Sequence, residues 1–320
     1  MVSFALDPAL AALQRKEAEG LELSFAVRRF CSYMRSGSAV EAMQSAVAEL
    51  LRSYGRRFGP SASRISAAQL CEACGVTLAG PLPRRTATRL PFSALRPWSK
   101  RKEHTGSLLL DPMRPTIRLP SGLDYFRARV AVGHELGHLL VHRRGDAIDR
   151  FTARLPNSED EEALSEYSSR LLLLSQVPSM AAGGSANVIS ACMRLARDAD
   201  VTLHAAAARL GDPDSPLAGS VAGIILWRCN PTVETLGPVH HRLTPAWHLC
   251  RQAFIPIGRC HARKDSLVAE LGADDSGVCS GSRVEPVSIG AFKGDYRIDA
   301  VAWGSVARGT RHVLAAFLIP

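Results

Sequence analysis

Lysine is scarce in this chain. Of its 39 basic side chains only Lys16, Lys100, Lys102, Lys264 and Lys293 are Lys, and the rest are Arg spread along the whole length. The formal charge of +9 therefore reflects dispersed arginine, which a compositional bias produces as readily as a phosphate-binding face does. The densest cluster, Arg96 to Lys102, is broken by Pro97 and reads as a solvated loop. Contact with DNA or an acidic partner fits this charge, but direct nucleic-acid binding is not the favoured reading. No apolar run approaches the length that spans a bilayer, so no membrane partner is expected. Met1 to Asp7 shows neither a basic n-region nor a long apolar h-region, and a cytoplasmic location is the expectation. The eight cysteines follow no repeat and should be reduced there. Cys71 and Cys74 form a CxxC with no second pair at zinc-ribbon spacing, so packing is favoured over metal or redox chemistry.

With 320 residues, 46% of them hydrophobic, the chain can build one large core or two modest ones. Its most informative stretch is His134-Glu135-Leu136-Gly137-His138. Positions i and i+4 of a helix project from one face, so both imidazoles can reach a single metal ion. Glu135 lies beside them, where a carboxylate can act as general base on a water at that ion; this is the HExxH arrangement of zinc peptidases. Composition alone produces such a string in roughly one chain in a hundred, so its context matters. Leu123, Tyr125, Phe126, Val130 and Val132 precede it at near-helical spacing, and Leu139, Leu140 and Val141 continue the pattern. With Ser121 and Gly122 as cap residues, a helix is predicted from there to about Arg143. Two His and a Glu in a mostly apolar helix need polar partners, and a metal supplies them.

A hydrolytic zinc site takes three protein ligands and leaves a fourth position to water. Ser158 followed by Glu161 is a capping-box signature, and Leu164, Tyr167, Leu171 and Leu174 form an apolar stripe behind it, so a second helix is predicted to begin near Glu159. Glu162 is the favoured third ligand, with Glu166 one turn on as the acid that orients a metal-bound imidazole. Glu161 and Glu166 stay open as alternative ligands. His142, one turn beyond His138, reads as a residue behind the ligands or a helix C-terminal cation. Zinc is the expected metal, with another divalent ion such as Mn²⁺ as the alternative.

The run Arg127-Ala128-Arg129-Val130-Ala131-Val132-Gly133, leading into HELGH and then Leu139-Leu140-Val141-His142, resembles the ImmA/IrrE family of zinc metallopeptidases. That family shows an Arg-x-Arg approach, the HELGH core, a trailing Leu-Leu-x-His and a Glu-bearing helix ending in Leu-Leu-Met-Pro. The resemblance covers about residues 60 to 210. Where the family has Glu-Ala-Asn-x-Phe-Ala, this chain has Glu162-Ala163-Leu164-Ser165-Glu166-Tyr167, and Leu171 to Leu174 close the helix with Pro178 arriving late. The resemblance implies a zinc endopeptidase with a narrow protein target, often a helix-turn-helix repressor cleaved in a stress or mobile-element response. The competing reading is a non-catalytic regulatory protein that keeps the metal helix as a scaffold for binding a repressor or DNA.

The expected fold class is α+β: a mainly helical, zincin-like unit with a small antiparallel sheet, then a separate strand-rich α+β domain. Residues 1–59 form a helical leader with helices at 23–34 and 39–54. Residues 60–211 form the metallopeptidase unit, with a helix ending at Cys74, strands at 76–78, 107–111 and 116–119, and a helix at 201–210. A break is expected at 181–185 and a linker at 212–216. Residues 218–320 hold strands at 222–229, 253–257, 284–292, 296–303 and 312–319, with Gly294-Asp295 as a hairpin turn. Some members of the resembled family carry a GAF-like sensor domain at this end.

Overall fold

The computed structural model describes residues 5–59, 64–84, 106–111, 114–175, 187–232, 240–250, 265–274, 276–289, 292–304 and 311–319. The Arg96–Lys102 cluster, the break at 181–185 and the strand expected at 253–257 lie outside the described residues.

Apolar spacing builds the first helices. Helices α1 (Pro8–Ala18), α2 (Phe25–Met34) and α3 (Ala39–Phe58) precede the short α4 (Ala67–Ala73). In α3 the side chains of Val40, Met43, Val47, Leu50 and Tyr54 recur three or four residues apart and all are buried, forming one inward stripe. Gly75 follows α4 at φ +66°, a left-handed conformation that ends the helix as expected. Cys71 and Cys74 are free and buried, and burial pushes both thiols up to about 12, which suits packing and not reactivity.

Three short strands follow: β1 (Thr77–Ala79), β2 (Ser107–Leu109) and β3 (Thr116–Arg118), in spatial order β1-β3-β2. The β2–β3 pair is antiparallel as expected, whereas β1 joins β3 in parallel, with a long crossover between them in place of a hairpin. Strands β1 and β2 are the two edges of this sheet among the described residues.

The long helix α5 (Tyr125–His142) starts three residues later than the Ser121-Gly122 cap implied, because Asp124 accepts the Arg127 backbone N–H and closes the first turn. A two-stranded ribbon, β4 (Arg143–Arg144) and β5 (Ala147–Ile148), and a 3₁₀ turn at Thr152–Arg154 lead to α6 (Glu159–Leu173). Ser158 caps α6 by accepting the Glu161 N–H, as its sequence indicated. Helices α7 (Val188–Ala199) and α8 (Leu203–Leu210) complete the helical part.

Helix α6 is held at three points. Near its start, Asp160 accepts Lys16 Nζ and the Ser24 backbone N–H, each at 2.7 Å, tying it to α1 and to the entry of α2. Along its middle it lies against α5 at Gly133 and Gly137. Near its end the buried Arg170 forms a forked pair with Asp212 at 2.9–3.1 Å and reaches Asp7, the cap of α1, at 3.1 Å.

A five-stranded antiparallel sheet follows, from β6 (Val221–Thr232), β7 (His240–Cys250), β8 (Cys279–Ile289), β9 (Phe292–Trp303) and β10 (His312–Leu318), in order β7-β6-β10-β9-β8. Its central strand is buried on both faces, which is why its sequence is nearly continuous apolar residues. Leu314, Ala316 and Leu318 join the core of the helical part, while Val313, Ala315 and Phe317 pack towards α9 (Leu267–Ala273). One apolar cluster thus runs from α1 through α5 and α6 to one face of this sheet. The α+β character of the expected fold is therefore present: a helical first part with a small sheet, then a strand-rich second part. Gly294-Asp295 is, however, not the hairpin turn: both residues lie within the β8–β9 ladder, where Gly294 pairs with Val287 and Asp295 with Pro286, and Ile289 pairs with Phe292. Ile298, Ala300 and Ala302 face one core and Val301 and Trp303 the other, so a slip of one residue would exchange the two sets between differently shaped interiors, which fixes that register.

Candidate metal centre

Two glycines one turn apart decide how close α6 can come to α5. A Cβ built at Gly137 would collide with Ser168 Oγ and stand 2.6 Å from Ser165 Cα, and one at Gly133 would stand 3.1 Å from Ser169 Cα. Facing serines and glycines leave the two helix backbones in contact. That closeness carries the first turn of α6 to the His134 and His138 rings.

At this crossing the donors converge. His134 Nε2 and His138 Nε2 are 3.1 Å apart, Glu162 Oε2 is 3.2 Å from His134 Nε2, and Glu162 Oε1 is 3.6 Å from His138 Nε2. The three residues each offer a ligand atom within 4.8 Å of the others. Bonds of 2.0–2.1 Å around a tetrahedral zinc separate its ligands by about 3.3 Å, so this spacing fits one small cation at the centre. Without a proton or cation between them, two imidazole lone pairs at 3.1 Å would repel. Both imidazoles are buried, and the Glu162 side chain is 48% exposed, so the site opens to solvent on the carboxylate side.

The structure separates the three acids that the sequence left as alternatives. Glu162 faces the Nε2 atoms. Glu161 is buried and lies on the opposite side of the His138 ring, with Oε1 2.7 Å from Nδ1, and the same oxygen is 2.9 Å from His142 Nε2. Glu166 lies 3.8 Å from His134 Nδ1, beyond hydrogen-bond length. His142 Nδ1 is 3.0 Å from the Thr152 hydroxyl.

Electrostatics follow from burial opposed by pairing. Burial by itself would lower His138, but the Glu161 and Glu162 carboxylates outweigh it and hold the imidazole up at about 9. Burial would raise Glu161 and Glu162, yet their histidine partners hold both below the usual carboxylate range. Burial raises Glu166. Glu135 is raised by burial, with His134 and His138 pulling the other way and Glu162 adding to the rise. The backbone of Leu108, on strand β2, is near enough to favour the charged form of Glu135 slightly. Gly106 makes room for it, since a Cβ there would stand 2.9 Å from Glu135 Oε1. A carboxylate raised in this way, beside a cation site, is suited to accept and return a proton.

Arg127 and Arg129, which carry part of the motif, lie away from this chemistry. The buried Arg129 donates to the backbone carbonyls of Ile65, Ala199 and Asp200 at 2.7–3.1 Å and fastens α5 to α7 and to the approach of α4. Arg127 pairs with Asp124 at 3.6 Å.

No protein-family profile matches this sequence, and no curated protein matches it. Among solved structures, one described as a Mycobacterium tuberculosis transcriptional regulator aligns over 91% of this chain and 80% of its own, at 12% identity and a TM-score of 0.41. A likeness this slight transfers neither chemistry nor partners. What this chain itself offers is a group of two histidines and a glutamate, His134, His138 and Glu162, that could hold a metal ion.

Proposed function

We propose that this protein is a zinc-dependent endopeptidase, with His134, His138 and Glu162 as metal ligands and Glu135 as general base. The observation that supports it is the convergence of two Nε2 atoms and one carboxylate at 3.1–3.6 Å, on a side left open to solvent, next to a raised carboxylate. Zinc held by those donors would supply Lewis acidity and a water acidified to a pKa near 7. Glu135 then takes the proton of the attacking water and delivers it to the departing amine. Glu162 binds as the carboxylate, the form its two histidine neighbours favour. To hold the ion His138 would have to present an unprotonated Nε2, with Glu161 2.7 Å from its Nδ1.

The substrate segment is proposed to add as an extra strand to the edge that β2 forms among the described residues, since that strand runs beside Glu135 at Gly106 and Leu108. By the ImmA/IrrE resemblance, the target is a helix-turn-helix repressor, cleaved in the cytoplasm during a stress or mobile-element response. The test is incubation of zinc-loaded protein with the repressor encoded nearest to it, with fragments read by mass spectrometry. Two defined fragments are expected from the native protein and none from Glu135→Gln at equal zinc content. Cleavage that persists in Glu135→Gln, or an intact repressor with the zinc-loaded native protein, refutes the reading.

A further inference from the structure

The acid that contacts His138 from behind is not the one its spacing suggested. Glu161 and Glu162 are sequence neighbours, yet they meet opposite edges of the same imidazole: Glu162 the Nε2 edge at 3.6 Å, Glu161 the Nδ1 edge at 2.7 Å. Adjacent positions on a helix diverge by about 100°, so both contacts require the His138 ring to stand edge-on between them. Glu161 does not end the chain of contacts. The same Oε1 meets His142 Nε2 at 2.9 Å, and His142 Nδ1 meets the Thr152 hydroxyl at 3.0 Å. Thr152 in turn is fixed by Asp149, whose backbone carbonyl accepts its hydroxyl at 3.2 Å and whose carboxylate accepts the Phe151 N–H at 3.1 Å. His138, Glu161, His142 and Thr152 are all buried, so water does not compete for these contacts. A buried carboxylate beside two imidazoles, with no Lys or Arg paired to it among the described residues, stays satisfied only while both rings donate to it.

From this geometry we infer that Glu161 is a positioning residue for the metal centre. It fixes His138 as the tautomer that carries its proton on Nδ1 and presents Nε2 to the ion. His142 and Thr152 fix Glu161 in turn. The inference rests on the metal-site reading above, and it concerns metal affinity and ring geometry, not cleavage. His134 offers the contrast: its Nδ1 is buried with no hydrogen-bond partner among the described residues, and the nearest acid oxygen, of Glu166, is 3.8 Å away. The two imidazole ligands are therefore supported unequally, His138 rigidly and His134 loosely.

The experiment is zinc titration of the full chain against a chromophoric chelator, with imidazole proton NMR of the zinc-loaded protein. Glu161→Gln should weaken zinc binding about 10- to 100-fold. Glu166→Gln should change it less than threefold. In the native zinc-loaded protein the His138 Nδ1–H should give a downfield, slowly exchanging resonance that moves upfield in Glu161→Gln. A zinc affinity unchanged in folded Glu161→Gln, or a larger loss in Glu166→Gln, overturns the inference. If Glu161→Gln does not fold, the native resonance alone decides: absence of a protected Nδ1–H on His138 overturns it. Failure of the metal-site reading is recognised separately, because Glu162→Gln and His134→Ala would then bind zinc as the native chain does.

Discussion

Replacing Gly137 by Ala should destabilise the protein and loosen its metal site, although alanine is the better helix former. In an exposed helix interior the exchange gains about 1 kcal/mol. At Gly137 the added methyl would stand 2.6 Å from Ser165 Cα and 3.0 Å from Ser165 O, in addition to colliding with Ser168 Oγ. Two of these three neighbours are backbone, so no side-chain rotation relieves them. Carbon atoms pack comfortably at about 3.5 Å, so α6 must retreat by roughly 1 Å. Overpacking of this kind costs about 1–3 kcal/mol, which outweighs the propensity gain. The retreat also carries Glu162 away from the imidazole pair, and zinc affinity should fall at least about tenfold by analogy with a displaced supporting shell. The control is Gly55→Ala, a glycine inside α3 whose Cβ would meet nothing within 4 Å, and it should stabilise by up to about 1 kcal/mol. Urea unfolding of both variants without metal, followed by zinc titration, gives the comparison. If Gly137→Ala matches the native protein in midpoint and zinc affinity, close helix approach does not set this site.

Other perturbations should separate its parts. In metal-free protein, His138 is held up at about 9 from 6.5, so its contribution is complete below pH 6.5 and lost as pH rises through 9. Glu162 is lowered from 4.5, so its contribution is present above pH 4.5 and lost as pH falls below it. Metal-free stability should therefore peak between pH 4.5 and 6.5 in urea titrations, and saturating zinc should remove the alkaline decline; a flat alkaline limb without metal would contradict the pairing. Chelation should lower the unfolding free energy, by about 2.7 kcal/mol when free zinc had stood at a hundred times its dissociation constant, read as a melting shift between zinc and EDTA samples. Arg170→Met should cost about 3–5 kcal/mol by leaving Asp212 buried without its forked partner, and a loss below 1 kcal/mol in calorimetry would deny the network its role.

The helix that pairs His134 with His138 was legible because its signal is local: a four-residue spacing places two imidazoles together whatever surrounds them. The helix at Ser158 was legible for the same reason, its cap being written in Ser158 and Glu161. The acid that lies against His138 Nδ1 was not. Choosing between Glu161 and Glu166 requires the rotation of α6 about its axis, which the Gly133 and Gly137 seam sets across some thirty residues of sequence. Those glycines gave a signal, being four apart and opposite small serines, but only the packed pair of helices gives it meaning. Helix α7 also went unread, although Asn187 caps it and residues 188, 189, 192, 195, 196 and 199 recur at helical spacing. Strand β7 escaped because Pro245 sits within it; on this edge of the sheet a missing N–H is tolerated.

Asp299 of β9 has a consequence for how this molecule can be divided. Its carboxylate accepts the Val188 N–H at 2.8 Å, at the start of α7, while Asn187 reaches back to the Gly281 carbonyl at 2.8 Å. The strands thereby supply the clasp for a helix that lies before them in the chain, and that helix packs on α8, which touches α6. A protein shortened to end near residue 217 would lose the clasp and bare the flank that Ile224, Leu314 and Leu318 now shield. Such a fragment should be recovered as aggregate, and adding the missing half as a second polypeptide should rescue it.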